Sequence, residues 1–226
     1  MVEHVYRRTK RSETVDGTYI ATPDEEIRKE AEDFDAEVIM TGEHSRATDR
    51  VAEAARSLDG DIVIVMQGDE PLVYPDMIDA AVEPMLSDET IDCVNLARTI
   101  ETEEAFRDPN EVKVVVDSDW NAMYFSREPI PNLHDTSFSE TRVYKQVCVI
   151  PFRRDALFEF TSLEETPLER AESIDMLRLL ENGHTVKIVE TEREMQAVDT
   201  PSDHEKVNEL MADDELYSEY SDNTSR

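Results

Sequence analysis

Two acidic residues in distant parts of the chain have the surroundings of a cation site. Asp69 lies in the run QGDEP at 67–71, directly after the apolar run at 62–66, and Asp199 directly precedes Thr200 at a predicted helix start. Open α/β folds bind ligands at the carboxyl ends of their strands, and Mg²⁺ takes one or two carboxylates together with phosphate oxygens and water. We therefore predict that Asp69 and Asp199 share a Mg²⁺ and are the catalytic residues of a nucleotidyl transfer. Each segment alone is equally compatible with a solvated turn.

Polar residues after another predicted strand are candidates for binding a nucleotide. Thr48 and Arg50 follow the β-rich run at 37–40 and open a helix, where backbone N–H groups and the Arg50 guanidinium can hold an anionic group. A plain loop with a helix cap explains the same spacing. Arg127, at the end of the run at 122–126, can pair with a substrate carboxylate or can simply be solvated.

Composition excludes several other functions. The chain has 5 glycines, and none of them has the spacing of a dinucleotide-binding or P-loop motif. Asp and Glu number 54 against 23 Lys and Arg, for a net charge of -31, which disfavours binding to nucleic acid or to an anionic membrane. Carboxylates spread over the whole chain are typical of a surface that stays hydrated at high salt, so we expect a halophilic protein.

Apolar content gives further expectations. Cys93 and Cys148 lie in apolar runs and are predicted to be buried thiols without a catalytic role. The longest apolar runs fall far short of the ~20 residues that span a bilayer, and the first residues contain no apolar signal core. We therefore predict a soluble, cytoplasmic protein.

Short β-branched runs alternate with amphipathic segments, which predicts an α/β fold with a mainly parallel nucleotide-binding sheet flanked by helices. The predicted strands are 18–21, 37–40, 61–67, 92–98, 112–116, 122–126, 144–150 and 186–190. Thr-Pro pairs with an acid soon afterwards predict helix starts at Thr22, Thr166 and Thr200.

Two further segments depart from this alternation. The runs on either side of Asp117 leave no room for a helix, which predicts an antiparallel hairpin in a small lobe, at about 110–150, beside the sheet. The acidic stretch 213–226 is predicted to be a disordered tail, so that residues 1–212 form a single domain.

Several motifs occur together in an order that resembles one enzyme family. They are QGDEP at 67–71, DPNEVKVVVD at 108–117, MYFSREPIP at 123–131, TPLERAESIDMLRLLENG at 166–183 and AVDTP at 197–201. Over about residues 1–210 the chain resembles the CMP-KDO synthetases, the 3-deoxy-manno-octulosonate (KDO) cytidylyltransferases. Several motifs in the same order are much more specific than any one of them.

The resemblance implies a reaction and a set of roles. Members of the family couple CTP to an acidic sugar, release pyrophosphate and yield a CMP-sugar. By resemblance, Asp69 and Asp199 hold Mg²⁺ as cofactor, and the partners are CTP and an acidic keto-deoxy sugar. The other roles implied are nucleotide binding by Gln67, Thr48 and Arg50 and sugar binding by Arg127, Gln146 and Asp175. The family is typically homodimeric through the hairpin lobe.

Three departures from the family pattern leave alternatives open. The family begins with a strand and a CTP-binding loop that this sequence does not show, so we expect the sheet to lack a partner strand there. Arg46-Ala47 stands where the family has Ser-Gly, and Gln146, Ile150 and Asp175-Met176 replace polar residues on the sugar side. The alternatives are the same reaction on a nonulosonic acid and an inactive homologue that persists as a dimerising remnant.

Overall fold

Strands and helices alternate along residues 1–221, which are the residues that the computed structural model describes. The strands are β1 Ile20–Thr22, β2 Val38–Met40, β3 Ile62–Met66, β4 Val94–Thr99, β5 Lys113–Val116, β6 Ala122–Ser126, β7 Tyr144–Val147, β8 Val149–Arg153 and β9 Lys187–Glu190. The helices are α1 Val2–Thr9, α2 Glu25–Glu32, α3 Ala47–Ala55, α4 Pro75–Ser87, α5 Glu103–Arg107, α6 Arg154–Ser162, α7 Pro167–Glu172, α8 Met176–Glu181, α9 Pro201–Ala212 and α10 Glu215–Ser221, with a 3₁₀ turn at Phe138–Glu140. The predicted α/β class is confirmed.

The strand pairing is mixed, so the prediction of a mainly parallel sheet is wrong. Within residues 1–221, β1–β2 and β4–β9 are parallel, whereas β3–β8, β4–β7, β5–β6 and β5–β7 are antiparallel. The physical reason is the run predicted as one strand at 144–150. It is divided at Cys148 into β7 and β8, which pair with β4 and β3 respectively and run against both of them.

The hairpin on either side of Asp117 is confirmed, but it does not form a separate lobe. Its first strand, β5, pairs with β7, so the hairpin extends a five-stranded sheet in the order β6-β5-β7-β4-β9. Backbone bonds from Ala122 to Val186 and from Ile188 to Trp120 also bring the hairpin turn to β9. The predicted lobe is therefore part of the main sheet.

Helices cover both faces of this sheet with apolar side chains. On one face, Phe152 and Phe160 are fully buried in a core that includes residues of α3, α6 and α8. On the other face, Met77 and Ile78 of α4 pack with Val94 of β4 in a second core. Burial of such side chains is the main source of stability, at about 1.5–3 kcal/mol each.

Two of the three predicted helix starts are confirmed. Thr200 caps α9, since its hydroxyl accepts from the Asp203 amide at 3.3 Å and Asp203 accepts in return from the Thr200 amide at 2.9 Å. Thr166 is likewise the residue before α7, with its amide bonded to Glu169. The start predicted at Thr22 is wrong, because Asp24 caps α2 by accepting the amides of Glu26 and Ile27.

Part of the predicted acidic tail is ordered. Residues 215–221 form α10, and Asp214 pairs with the fully buried Arg8 of α1 at 2.5 Å. Tyr220 is also buried, and its hydroxyl lies 2.8 Å from His4 Nδ1. The prediction of disorder over this part of 213–226 is therefore wrong, because aromatic and ionic contacts with the N-terminal helix outweigh the acidic composition. Residues 222–226 lie outside the described residues.

The sheet is interrupted between β1 and β3. Within residues 1–221, β1 pairs only with β2 and β3 only with β8, so β1 and β3 are not paired with each other. Both strands line one cavity of about 1320 Å³. The same cavity is lined by five residues with a buried polar atom that has no hydrogen-bond partner in the described chain, namely Thr9, Thr18, Arg50, Asp69 and Arg154. We call β1, β2, this cavity and the facing edge of β3 the open region. We call the five-stranded sheet, the neighbouring strand β8 and the helices packed on them the closed region.

Candidate active site

The loops that carry Asp69 and Asp199 lie side by side. Asp69 is in the turn after β3, and Asp199 is two residues before the first residue of α9. The Val198 amide donates to the Asp69 carbonyl oxygen at 3.0 Å, which joins the two loops directly. Leu72 packs with residues of α9 behind this contact. The structure therefore brings together two acidic segments that are 130 positions apart in the sequence, from 69 to 199.

The carboxylates at the contact between the Asp69 and Asp199 loops, called here the acidic junction, repel one another and are partly buried. Burial raises the pKa of Asp69, and the nearby negative charge of Asp199 raises it further. Burial raises the pKa of Glu70 to about 8, with added repulsion from Asp69 and Asp199 that the charge of Lys145 partly offsets. One carboxylate oxygen of Asp69 and one of Glu70 are buried without a partner among the described residues. A cation bound here would relieve this repulsion.

The donor set at the junction fits a hard divalent cation. No group of three or more His, Cys, Asp or Glu side chains within residues 1–221 has the arrangement of a complete metal site. Mg²⁺ does not require one, because it is usually bound by one or two carboxylates and completes its shell with phosphate oxygens and water. Asp69 and Asp199 can supply two such carboxylates, and the unpartnered Asp69 oxygen is available to a cation.

Gln67 and Arg50 lie with Asp69 along the cavity of the open region. Arg50 is on α3 and donates through Nη2 to the His44 carbonyl oxygen at 3.3 Å. Its Nε is buried and has no partner in the described chain. The cavity therefore presents a carboxylate, an amide and a cation with an unused donor, a combination that can bind a phosphorylated ligand.

Thr48 and Asp175 form a second group. The buried Thr48 hydroxyl donates to Asp175 Oδ2 at 2.9 Å, which links the first turn of α3 to the residue before α8. Burial raises the pKa of Asp175, whereas the Thr48 bond and the charge of Arg46 act in the opposite direction. Arg46 Nη1 lies 3.4 Å from Asp175 Oδ1, an ion pair that spacing in the sequence does not reveal.

The two remaining predicted sugar-binding residues are held by other partners. Gln146 Nε2 donates to Asn95 Oδ1 at 2.6 Å. Arg127 donates through Nε to the Glu172 carbonyl oxygen at 2.7 Å and through Nη1 to that of Pro109 at 3.0 Å. Within residues 1–221, neither side chain is hydrogen-bonded to Asp175, so the structure does not join them directly to the second group.

Two residues near the acidic loops, Cys148 and Lys145, were not among the predicted site residues. The thiol of Cys148, between β7 and β8, has its pKa raised by removal from water and by the charges of four surrounding carboxylates, those of Glu70, Asp69, Asp175 and Asp199. Lys145 pairs with Glu111 at 2.9 Å and lies close enough to stabilise the charge of Glu70. Successive residues of a strand face opposite sides, so the prediction for Gln146 gave no signal for Lys145.

Comparisons with known proteins agree with this architecture. The chain matches the cytidylyltransferase family over residues 1–214. It is 44% identical over 219 residues to the 3-deoxy-manno-octulosonate cytidylyltransferase of Pelobacter propionicus, covering 92% of this chain and 86% of that protein. It is 42% identical over 221 residues to the protein of the same name from Geobacter sulfurreducens, covering 93% and 88%.

Solved structures give the same result. A structure of CMP:2-keto-3-deoxy-manno-octonic acid synthetase complexed with CTP superimposes with a TM-score of 0.87 at 35% identity, covering 93% of this chain and 87% of that one. A 4-diphosphocytidyl-2C-methyl-D-erythritol synthase from Anaerococcus prevotii shares the fold, with a TM-score of 0.61 at 16% identity. No helix within residues 1–221 has the length and apolar content to cross a membrane.

Proposed function

We propose that this chain, which belongs to the cytidylyltransferase family, transfers CMP from CTP to KDO and releases pyrophosphate. The sugar hydroxyl attacks the α-phosphorus of CTP, a P–O bond forms to the sugar, and the P–O bond to pyrophosphate breaks. The hydroxyl proton is lost to solvent or to a nearby base. No covalent enzyme intermediate is required.

The single observation that carries the chemistry is the contact between the Asp69 and Asp199 loops. Mg²⁺ bound by these two carboxylates would neutralise the triphosphate and the developing charge on pyrophosphate. The unpartnered oxygen of Asp69 and the mutual repulsion of the acidic groups support this assignment. Asp69 and Asp199 would hold the cation that aligns the phosphates, and alignment with charge stabilisation is most of what phosphoryl transfer asks of a protein.

The other predicted site residues are assigned to one or the other substrate. Gln67 and Arg50, on the cavity beside Asp69, are assigned to the nucleotide. Thr48 is also assigned to the nucleotide and Asp175 to the sugar, and the bond between these two residues would link the two substrate sides. Arg127 and Gln146 are assigned to the sugar acid as the family resemblance implies. Homodimerisation, a cytoplasmic location and adaptation to high salt stay predictions from the sequence.

The experiment is pyrophosphate release from CTP and KDO, with Mg²⁺ and molar KCl. We expect Asp69→Asn and Asp199→Asn each to lower kcat by about 10²–10³, the usual cost of losing a transition-state charge contact. Asp213→Asn is the matched control, because Asp213 is an exposed acid at the end of α9 and should leave kcat unchanged. Wild-type rates in both acidic-loop variants would refute the cation assignment.

The same assay separates the alternatives for the sugar. Replacing KDO by N-acetylneuraminic acid tests the nonulosonic reaction, and we expect KDO to give the higher kcat/KM. A higher value with N-acetylneuraminic acid would reassign the substrate. Absence of turnover with both sugars would favour the inactive remnant.

A further inference from the structure

Arg46 occupies a position where its side chain does not serve the helix that it begins. It is the N-cap of α3, yet it makes no side-chain capping bond. Ser, Thr, Asp and Asn are the residues that stabilise this position, by about 1 kcal/mol over residues that cannot cap. The Arg46 side chain instead extends across to the segment 165–175, and only 19% of it is exposed.

The guanidinium of Arg46 is the centre of a small ionic network. Nη2 lies 3.1 Å from Glu165 Oε1, Nη1 donates to Ser173 Oγ at 3.1 Å, and the same nitrogen lies 3.4 Å from Asp175 Oδ1. The Arg46 Nε is 4.0 Å from the buried Glu169. Arg46 is the one cation within 4.0 Å of the Asp175 carboxylate among the described residues.

The surroundings of Arg46 contain more acid than base. Glu169 is already bonded by Arg178, with Nη2 to Oε1 at 2.6 Å and Nε to Oε2 at 2.8 Å. Arg178 also lies 3.8 Å from Asp49. Two arginines therefore face four carboxylates in this network: Asp49, Glu165, Glu169 and Asp175. Without Arg46, Arg178 alone would face these carboxylates, and an anionic ligand approaching Asp175 would meet a larger excess of negative charge.

We propose that Arg46 is a specificity-determining residue, which neutralises Asp175 and gives this face of the cleft the positive group that an acidic sugar needs. The inference rests on the proposed function and adds to it the origin of selectivity for an anionic sugar. When the sugar binds, its carboxylate takes a share of the Arg46 guanidinium, which has five donors and can serve two carboxylates together. The Thr48–Asp175 bond keeps the Asp175 carboxylate in place during this exchange.

The test combines calorimetric binding of KDO, in the presence of CMP, with steady-state kinetics and thermal unfolding. We expect Arg46→Ser to weaken KDO binding and raise the KM for KDO about tenfold, equal to 1.4 kcal/mol. The KM for CTP should stay within about twofold. Arg46→Lys should recover part of the loss because it keeps the charge. Asp175→Asn combined with Arg46→Ser should also recover part of the KDO binding, since it removes the negative charge that Arg46→Ser leaves unpaired.

Arg170→Ser is the matched control, because Arg170 donates to the Glu165 carbonyl oxygen at 2.6 Å in the same segment and should leave KDO binding unchanged. Unchanged binding in Arg46→Ser would overturn the proposal. A second pattern would also overturn it: equal losses of affinity for KDO and CTP, a lowered unfolding temperature and no recovery of KDO binding in the double variant. That pattern is expected if Arg46 only stabilises the fold. Because binding is measured without turnover, a chain that binds KDO through Arg46 but does not react would refute the proposed function alone. A wild-type chain that does not bind KDO would refute both.

Discussion

The open and closed regions differ in how completely their strands are hydrogen-bonded and their side chains are packed. In the closed region, five strands are hydrogen-bonded side by side and the aromatic residues Phe125, Phe152 and Phe160 are completely buried. In the open region, β1 and β3 line a cavity of about 1320 Å³ along which several buried polar atoms lack partners in the described chain. The candidate site lies where the two regions meet. The closed region therefore holds the site in position, and the open region provides unsatisfied groups that a ligand can use.

The largest expected effect is on stability in the closed region. Phe152→Ala should lower the free energy of unfolding by about 3–5 kcal/mol, since removal of a fully packed aromatic side chain leaves a cavity that the core cannot fill. Ile20→Ala, beside the existing cavity, should cost only about 1–2 kcal/mol because fewer contacts are lost there. Urea unfolding monitored by circular dichroism measures both values. Equal losses would remove the distinction between the regions.

The contact of the C-terminal segment with α1 gives the second prediction. Asp214→Asn leaves the fully buried Arg8 without its carboxylate partner, and should lower the free energy of unfolding by about 3 kcal/mol. Asp213→Asn, at the neighbouring exposed position, is the control and should change it by less than about 0.5 kcal/mol. A stable Asp214→Asn protein would mean that residues 213–221 contribute little to the fold.

The acidic junction gives a prediction on pH. Because the folded-state pKa of Glu70 is raised to about 8 from 4.5, the folded protein binds the proton more tightly than the unfolded chain. The stability contributed by this proton is fully present below pH 4.5 and is lost as the pH rises to about 8, on the order of 5 kcal/mol in total. Glu70→Gln should remove this component of the pH dependence. The check is urea unfolding of both proteins between pH 5 and 9, roughly spanning the titration; parallel curves would contradict the assignment.

The smallest expected effect tests the unsatisfied groups of the open region. Thr18→Val removes a buried hydroxyl that has no partner in the described chain, so it should leave the free energy of unfolding unchanged or raise it by about 0.5–1 kcal/mol. In Thr48→Val the lost hydroxyl is one that bonds Asp175, and a loss of about 1–2 kcal/mol is expected. Thermal unfolding of the two variants makes the comparison. A larger loss in Thr18→Val would show that its hydroxyl is bonded.

Local signals in the sequence predicted local features well. The Thr200-Pro201 start of α9 follows from reciprocal bonds over four residues, which the sequence displays directly. The hairpin around Asp117 and the placement of Asp69 after an apolar strand depend in the same way on neighbouring residues. Each of these features needs only the turn and cap chemistry of a short segment.

Features that depend on distant partners could not be predicted. Arg8 and Asp214 are 206 positions apart, and the acidic composition around Asp214 indicated disorder. The division of residues 144–153 at Cys148 depends on two different strand partners, β4 and β3. The Arg46–Asp175 pair likewise requires that α3 and α8 meet. Long-range pairing is decided by packing of the whole chain, which periodicity in one segment does not encode.

The central claim is that Asp69 and Asp199 hold one cation between them. Electron paramagnetic resonance of Mn²⁺, used in place of Mg²⁺ and titrated in the presence of CTP, tests it directly. We expect the wild-type chain to bind one Mn²⁺. Its affinity should fall by about tenfold or more in Asp69→Asn and in Asp199→Asn. The loss of binding free energy in the double variant should be smaller than the sum of the two single losses. Undiminished Mn²⁺ binding in either single variant, or fully additive losses from two separate ions, would contradict the claim.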